Sequence, residues 1–389
     1  MNPRFIAFYI CFFAIYGLIN YYIGLRGWQA LSNYSIPITG YWGLLVAVGS
    51  LSFPLGRWAA DILPRELVQF LIYIGSYWMG IMYYLFLIIF CLDLVRLLDR
   101  FLGFLPEGLK SPHPGVALVL LLLILLLNIY GTWNALHPVI RNYEVNITQK
   151  HSSMDTLNVV MVSDIHLGWI VGPKRLEQLV HDLNLLNPDL ILLPGDIIDE
   201  GVDLRTEKEI PRLFGNLNPR LGTYAIPGNH EYISGSGDDV FDFLSRAGIK
   251  VLRDQWIEVE DGFYLVGRDS RAKHSFGGVS RLDLHALMHG IDVSKLPIIL
   301  MDHEPFDLGE AAQAGVALQF SGHTHHGQIS PNQFITRSIY ELDWGYLRKD
   351  NLQVFVSCGF GTWGPPIRIG NHPEILNIKV NFTQQTCVV

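Results

Sequence analysis

Hydrophobic and polar positions follow two different regimes along this chain. The stretches Phe5 to Leu25, Gly27 to Gly56, Leu67 to Leu92 and Ser111 to Ile140 contain no Asp, Glu, Lys or Arg. A helix needs roughly 20 apolar residues, at about 1.5 Å rise each, to cross a bilayer. Each stretch therefore supplies one span, and residues 1–135 predict four transmembrane helices. The leucine-rich run Val116 to Leu127 is too one-sided in composition for a buried helical core. The first span follows Arg4, is long for a signal peptide and shows no small-x-small cleavage pattern before Arg26, so a retained helix is expected. Leu92 to Leu102 carries charges at 93, 96, 99 and 100 with an amphipathic helical period. It either continues the third span into the interface or is an ordinary helix end. Trp42, Trp78, Tyr83 and Tyr84 are candidate interfacial anchors.

Residues 136–156 turn polar and read as a connector, with Val145 and Ile147 alternating as in an edge strand. From 157 to 389 the pattern becomes strand, loop, helix, repeated. Apolar runs at 157–162, 190–193, 224–226, 298–301, 318–320 and 354–356 predict strands, the first of them buried on both faces. Short β segments are expected at 250–252, 256–259 and 263–266. Pro173 to Leu186 has helical spacing with a proline in its first turn, and a second helix is expected near Asp239 to Ala247. This alternation predicts an α/β domain with helices packed outside central sheets.

Composition agrees with the division. Only 16% of the 389 residues are charged, against about a quarter in soluble domains, and the deficit lies in the first third. The net charge of −8 argues against nucleic acid as a partner, which would want a basic surface. Cys11 and Cys91 fall inside spans, while Cys358 and Cys387 fall in the second half; no CxxC spacing exists, so neither a zinc ribbon nor a disulfide framework is indicated.

The chemistry is concentrated after residue 150. Asp164-Ile-His166, Gly195-Asp196-Ile-Ile-Asp199, Gly228-Asn229-His230-Glu231, Asp302-His303 and Gly322-His323-Thr324-His325 each directly follow an expected strand. A lone buried His is more often a core residue, and a lone Asp after a strand is more often a helix cap. Five such clusters at strand ends, on a rigid sheet, instead point to a shared metal site. A mixed carboxylate, imidazole and amide set suits Mn, Fe or Zn better than Ca or Mg. Two ions about 3.5–4 Å apart need a bridging carboxylate, for which Asp196 is the natural candidate. His230 follows Asn229 directly and should point differently from it. Asp199 and Glu231 are expected behind the ligands, as supporting or capping carboxylates.

At these residues the chain resembles the calcineurin-like metallophosphoesterase superfamily over about residues 155–380, and most of all its YkuE-like, membrane-associated bacterial branch. Gly322-His-Thr-His-His-Gly-Gln-Ile329, Gly361-Thr-Trp-Gly-Pro-Pro-Ile-Arg368 and Pro373-Glu374-Ile375 carry the resemblance to that branch. The resemblance implies a four-layer sandwich, with helices outside two central mixed sheets, over 157–389. It implies that Asp164, His166 and His325 hold a first metal, that Asn229, His303 and His323 hold a second, and that Asp196 bridges. His230 would contact the phosphate and protonate the leaving oxygen. His326 stands where this branch is expected to have glycine; it would narrow the pocket, add a phosphate contact or face solvent. Gly267 to Leu282 carries Arg268, Arg271, Lys273, His274 and Arg281 and reads either as a basic loop that grips an anionic head group or as a solvated surface loop. Arg368, beside two prolines and Trp363, is a further candidate for substrate contact.

The reading is a membrane-anchored phosphohydrolase that acts on a lipid-linked or cell-envelope phosphodiester or pyrophosphate, with the bilayer as its other partner. A catalytically silent sensor or scaffold would lack an expected ligand, and none is missing. A transporter would want polar groups within the spans, and residues 1–135 offer few. Arg26, Arg96, Arg100 and Lys110 fall on one side of the membrane, and Arg4, Arg57 and Arg65 on the other. The largest cluster, between spans three and four, places the catalytic domain on the outer face.

Overall fold

A computed structural model describes residues 3–32, 36–149, 153–202, 207–233 and 237–384 of the chain. Cys387 lies outside them. The described residues form two compact units. One runs to Trp133 and includes Gly364–Ile367; the other is Asn134–Trp363 together with the chain from Arg368.

The first unit holds four long helices, α1 (Pro3–Leu31), α2 (Ile36–Trp58), α3 (Arg65–Leu102) and α4 (Pro114–Leu136). All four are long and apolar enough to cross a membrane. The amphipathic stretch from Leu92 is a direct continuation of α3, which stops at Gly103, whose φ of 64° is left-handed backbone. Glycines let α2 and α3 approach closely: a Cβ on Gly49 would lie 2.3 Å from the Trp78 ring, and one on Gly75 would lie 2.3 Å from the Phe53 nitrogen. Trp42, Trp78 and Tyr84 are buried rather than set out as interfacial anchors. Trp78 donates to Asn20 Oδ1 at 2.8 Å, and Trp42 donates to the Gly24 carbonyl at 3.1 Å. The indole N–H needs an acceptor away from water, and each finds one on α1.

The second unit is built on twelve strands in two sheets. The first sheet contains β1 (Val139–Gln149), β2 (Thr156–Met161), β3 (Leu190–Pro194), β4 (Thr223–Ile226) and β5 (Ile249–Val251). The second contains β6 (Gln255–Val259), β7 (Phe263–Gly267), β8 (Ile298–Met301), β9 (Leu318–Ser321), β10 (Gly345–Lys349) and β11 (Leu352–Val356). The last strand, β12 (Glu374–Gln384), returns to the first sheet, giving the orders β1-β12-β2-β3-β4-β5 and β10-β11-β9-β8-β7-β6. Both sheets are mixed. β2 to β5 run parallel, as do β7, β8, β9 and β11, while β12 pairs antiparallel with β2, and the β6–β7 and β10–β11 pairs are antiparallel. β1 is the edge strand foreseen at Val145 and Ile147, paired in parallel with β12.

Strand periodicity builds the layers. Val159 and Met161 point between the sheets, where they meet Ile299, Met301, Leu318 and Phe320. Val160, between them in sequence, faces the other way onto Leu176, Leu179 and Leu183 of α5 (Pro173–Leu185). The outer face of the second sheet is covered by Leu284, Leu287 and Leu308 from short helices. The result is the expected four-layer sandwich. β12 was not foreseen, although Leu376, Ile378, Val380 and Phe382 are buried in alternation with polar Asn377, Lys379 and Asn381.

Candidate metal centre

Five strands deliver the chemistry. β2, β3 and β4 end in Asp164/His166, Asp196 and Asn229/His230; β8 and β9 end in His303 and His323/His325. The chain leaves these strands through tight left-handed turns. Asp164 and His166 both have φ 53°, Asp196 has φ 53°, His323 φ 72°, His325 φ 48° and His326 φ 46°. This backbone costs an ordinary L-residue roughly 1–2 kcal/mol; Asp and His are among the types that tolerate it best. Clustered strain of this kind marks positions over-determined by their surroundings. Gly195, at φ 89°, is needed for a close approach as well, since a Cβ there would lie 2.5 Å from His303 Nδ1.

Two ligand clusters result. Asp164, His166 and His325 form the first. Its two imidazoles point Nε2 at Nε2 across 3.0 Å, with Asp164 Oδ1 3.5 Å from His325 Nε2. Asp196, His303 and His323 form the second. The Asn229 side-chain oxygen joins it, 2.7 Å from His323 Nδ1 and 3.3 Å from His303 Nε2. Asp196 Oδ2 lies 3.1 Å from His303 Nε2 and 3.9 Å from His166 Nε2, so this one carboxylate faces both clusters.

The electrostatics favour cations. Burial pushes His166 and His323 down to about 4 and His325 well below its ordinary value, so all three are neutral at pH 7 with lone pairs to offer. Burial also opposes protonation of His303 and His230. The surrounding carboxylates together outweigh it, Asp196 foremost, joined by Asp164 and Glu304 at His303 and by Asp199 and Glu231 at His230, raising His303 well above its ordinary value and His230 to about 9. A site that draws protons onto buried imidazoles in this way also draws metal ions. Buried neutral imidazoles converging with carboxylates and one amide oxygen fit divalent transition metals.

Further residues hold the ligands in place. Glu231 is fully buried and accepts backbone N–H bonds from Asp196 (3.1 Å), Ile197 (2.7 Å), Ile198 (3.1 Å) and Gly228 (2.8 Å). It thus clamps the turns after β3 and β4 together. Burial and the Asp196 charge push its carboxyl up to about 7. Asp199 Oδ1 lies 3.2 Å from His230 Nδ1 and fixes that ring, which also meets the rings of His166 at 4.6 Å and Trp363 at 5.8 Å, both edge to face. Both acidic residues therefore touch the turns and rings that carry the ligands. Asp199 also closes a third potential ligand group with His166 and His230.

Three residues read as substrate contacts are placed otherwise. Arg368 is fully buried and spends its guanidinium on Gly359 O, Gly361 O and Asn371, with Nη2 3.3 Å from His325 Nδ1, so it braces the metal loop from behind. Arg268 is buried between Asp302 (3.2 Å) and Glu310 (3.0 Å). His326 is buried with Nδ1 on Asp343 at 2.7 Å, so it does not face solvent. The supposed basic loop is a folded, ion-paired segment. Arg281 clasps Asp302 at 2.7 Å and Lys273 pairs with Asp269 at 2.8 Å. Arg271 is exposed and pairs with Asp307 at 2.6 Å. Cys358 is buried and donates to the His372 carbonyl at 2.9 Å. Asp343 and Asn371 escaped the sequence reading. Asn371 donates to the His325 carbonyl at 3.0 Å, and no local motif marks either residue.

This sandwich, with paired ligand clusters at its strand ends, is the architecture of a metal-dependent phosphoesterase. The chain belongs to the calcineurin-like phosphoesterases, whose family pattern matches residues 157–327. It is 32% identical over 322 residues to a transmembrane protein with metallophosphoesterase domain from Danio rerio, covering 75% of this chain and 70% of that protein. An uncharacterized metallophosphoesterase of Aquifex aeolicus is 30% identical over 235 residues, 60% of this chain and 88% of its own length. YkuE of Bacillus subtilis, an uncharacterized metallophosphoesterase, is 28% identical over 237 residues, 59% of this chain and 80% of its own length. The chain is therefore an enzyme of this family carried on membrane helices.

Glu231→Ala tests the clamp. It strands four buried N–H donors, each worth about 1–3 kcal/mol when unpaired. Partial rescue by water leaves an expected loss of about 3 kcal/mol or more, which lowers the thermal midpoint of the catalytic unit by roughly 6–12 °C. A midpoint within a degree of wild type in a thermal scan of the detergent-solubilised chain would refute that role.

Proposed function

We propose that the protein hydrolyses a phosphodiester or pyrophosphate of a lipid-linked or envelope molecule, using two divalent ions of Mn, Fe or Zn type. Asp164, His166 and His325 would hold one ion, Asn229, His303 and His323 the other, and Asp196 both. The observation that carries this reading is the position of Asp196 Oδ2 between His303 and His166. When bound, such a pair supplies a bridging hydroxide near neutral pH and neutralises charge building on the phosphoryl oxygens. The residues supply orientation and a proton. His230, held through Nδ1 by Asp199, presents its other nitrogen to the leaving oxygen, and its raised proton affinity suits a general acid. Trp363 is exposed beside it and walls that side of the cleft.

Two features support a lipid-linked substrate. Only His137 and Pro138 separate the end of α4 from β1, so the catalytic unit begins directly after a membrane span. Around the metal loop, the helix Gln333–Ile339 exposes Phe334, Ile335 and Ile339. Its C-terminal neighbour Tyr340 lies 6.1 Å, ring to ring, from His323. An apolar rim beside a phosphoesterase centre suits an acyl-bearing substrate or the bilayer surface. Arg96 and Arg100 in the last turns of α3, with Lys110 in the α3–α4 connector, favour an extracytoplasmic catalytic unit.

Two experiments test this reading. His230→Ala should retain metal and lose about 10²–10⁴-fold in kcat on diesters with poor leaving groups, but far less on bis-p-nitrophenyl phosphate. An equal loss for both would remove the acid role. Phe334→Ser/Ile335→Ser should leave bis-p-nitrophenyl phosphate hydrolysis near wild type and lower turnover of a phosphodiester lipid in vesicles at least several-fold. Equal vesicle turnover by variant and wild type would count against a lipid-engaging rim.

A further inference from the structure

The helical unit contains a second candidate site that the phosphoesterase chemistry does not use. A cavity of about 180 Å³ opens between the C-terminal end of α1, the start of α2, the last turns of α3 and the start of α4. Its wall is almost wholly apolar, made chiefly by Trp42, Leu85, Ile89, Ala117, Leu120 and Leu121. Arg26 and Arg96 are the charged residues that also line it.

These arginines are built in. Asp93 stands between them, 2.7 Å from Arg26 Nε and 2.9 Å from Arg96 Nη1, and Tyr22 donates its hydroxyl to the same carboxylate at 2.5 Å. Each nitrogen of Arg96 has a partner, since its Nε and Nη2 donate to the carbonyls of Leu109 (2.8 Å) and Ser111 (3.1 Å) in the α3–α4 connector. Arg26 is not saturated. Its Nη1 donates to Gln29 at 2.7 Å and its guanidinium lies 5.5 Å from the Tyr22 ring centre, while its Nη2 makes no hydrogen bond among the described residues. Two guanidinium charges against one carboxylate leave the rim one positive charge in excess. Charged groups along spans are expensive and face bundle interiors or functional sites. An isolated ion pair would need no excess cation and no apolar cavity beside it.

We propose that this cavity binds one anionic phospholipid, with an acyl chain among Trp42, Leu85, Ala117 and Leu121 and its phosphate on Arg26 Nη2. The charge excess selects an anionic over a zwitterionic head group, and the apolar wall requires a chain. The site is not the hydrolytic one. At about 1.5 Å per residue, Pro114 at the cavity end of α4 lies roughly 33 Å along that helix from Leu136, where the chain leaves for β1. Arg96, which fixes the α3–α4 connector while lining the cavity, ties occupancy to the packing of that end of the bundle.

The test uses the full chain, delipidated in a zwitterionic detergent and titrated with dioleoyl phosphatidylglycerol or dioleoyl phosphatidylcholine. Thermal unfolding of the wild type should rise with phosphatidylglycerol and not with phosphatidylcholine, and native mass spectrometry should retain one phosphatidylglycerol per chain. Arg26→Gln should weaken that binding at least tenfold. Ala117→Trp, which fills the cavity but keeps the Arg26–Asp93–Arg96 cluster, should weaken it similarly. Equal response of the wild type to both lipids, or undiminished phosphatidylglycerol binding in Ala117→Trp, would overturn the proposal even if Arg26→Gln fails to fold.

Discussion

The Asp196 carboxylate is almost fully buried and sits where two histidine clusters meet. An isolated charge in such a place costs many kcal/mol unless paired or neutralised. The molecule answers at three levels. The His230 backbone N–H donates to Asp196 Oδ1 at 2.8 Å, and His303 lies on Oδ2. Glu231, itself buried, holds the turn that presents Asp196. Around them, Asp164, His166, His323, His325 and His326 adopt left-handed backbone. An ordinary L-residue loses roughly 1–2 kcal/mol there, and although Asp and His lose less, the sum is a sizeable part of the about 5–15 kcal/mol that stabilises an ordinary domain. A centre so expensive to assemble without cations is one that cations complete, which links the local backbone directly to metal-dependent chemistry.

The second requirement is rigidity behind the ligands. Asp302 is clasped by Arg268 and Arg281, which holds the turn carrying His303. Arg368 and Asn371 bind the loop of His325 from beneath, and Asp343 holds His326. Each of these groups is buried, so each pairing forms in a medium where charge–charge and charge–dipole terms are stronger than in water. Ligand positions held by second-layer hydrogen bonds keep their geometry through turnover.

Much of this was legible in the sequence, for a physical reason. The ligands lie in short runs directly after apolar strands, so the local pattern gives both the residue and its support. The same holds for the four spans and for the α/β alternation. What was misread depends on contacts far along the chain. Arg268 looks like a free cation until Asp302 and Glu310, 34 and 42 residues later, close on it. Arg368 looks exposed beside two prolines, yet its partners Gly359 and Gly361 bury it. Trp78 resembles an interfacial anchor until Asn20, 58 residues earlier, takes its N–H. β12 carries its alternation in Leu376, Ile378, Val380 and Phe382, but its partners β1 and β2 lie far earlier in the chain, so no local signal shows where it pairs.

Asp196 faces both ligand clusters, so binding of two ions would depend on it. The measurement that bears on it most directly is metal content per chain, by elemental analysis of the detergent-purified protein after Mn²⁺ loading, for wild type beside Asp196→Asn. The account predicts about two ions per wild-type chain and loss of at least one in the variant, with hydrolysis of bis-p-nitrophenyl phosphate lost alongside. A wild type that holds no metal, or a variant that keeps its full complement and its turnover, would contradict it.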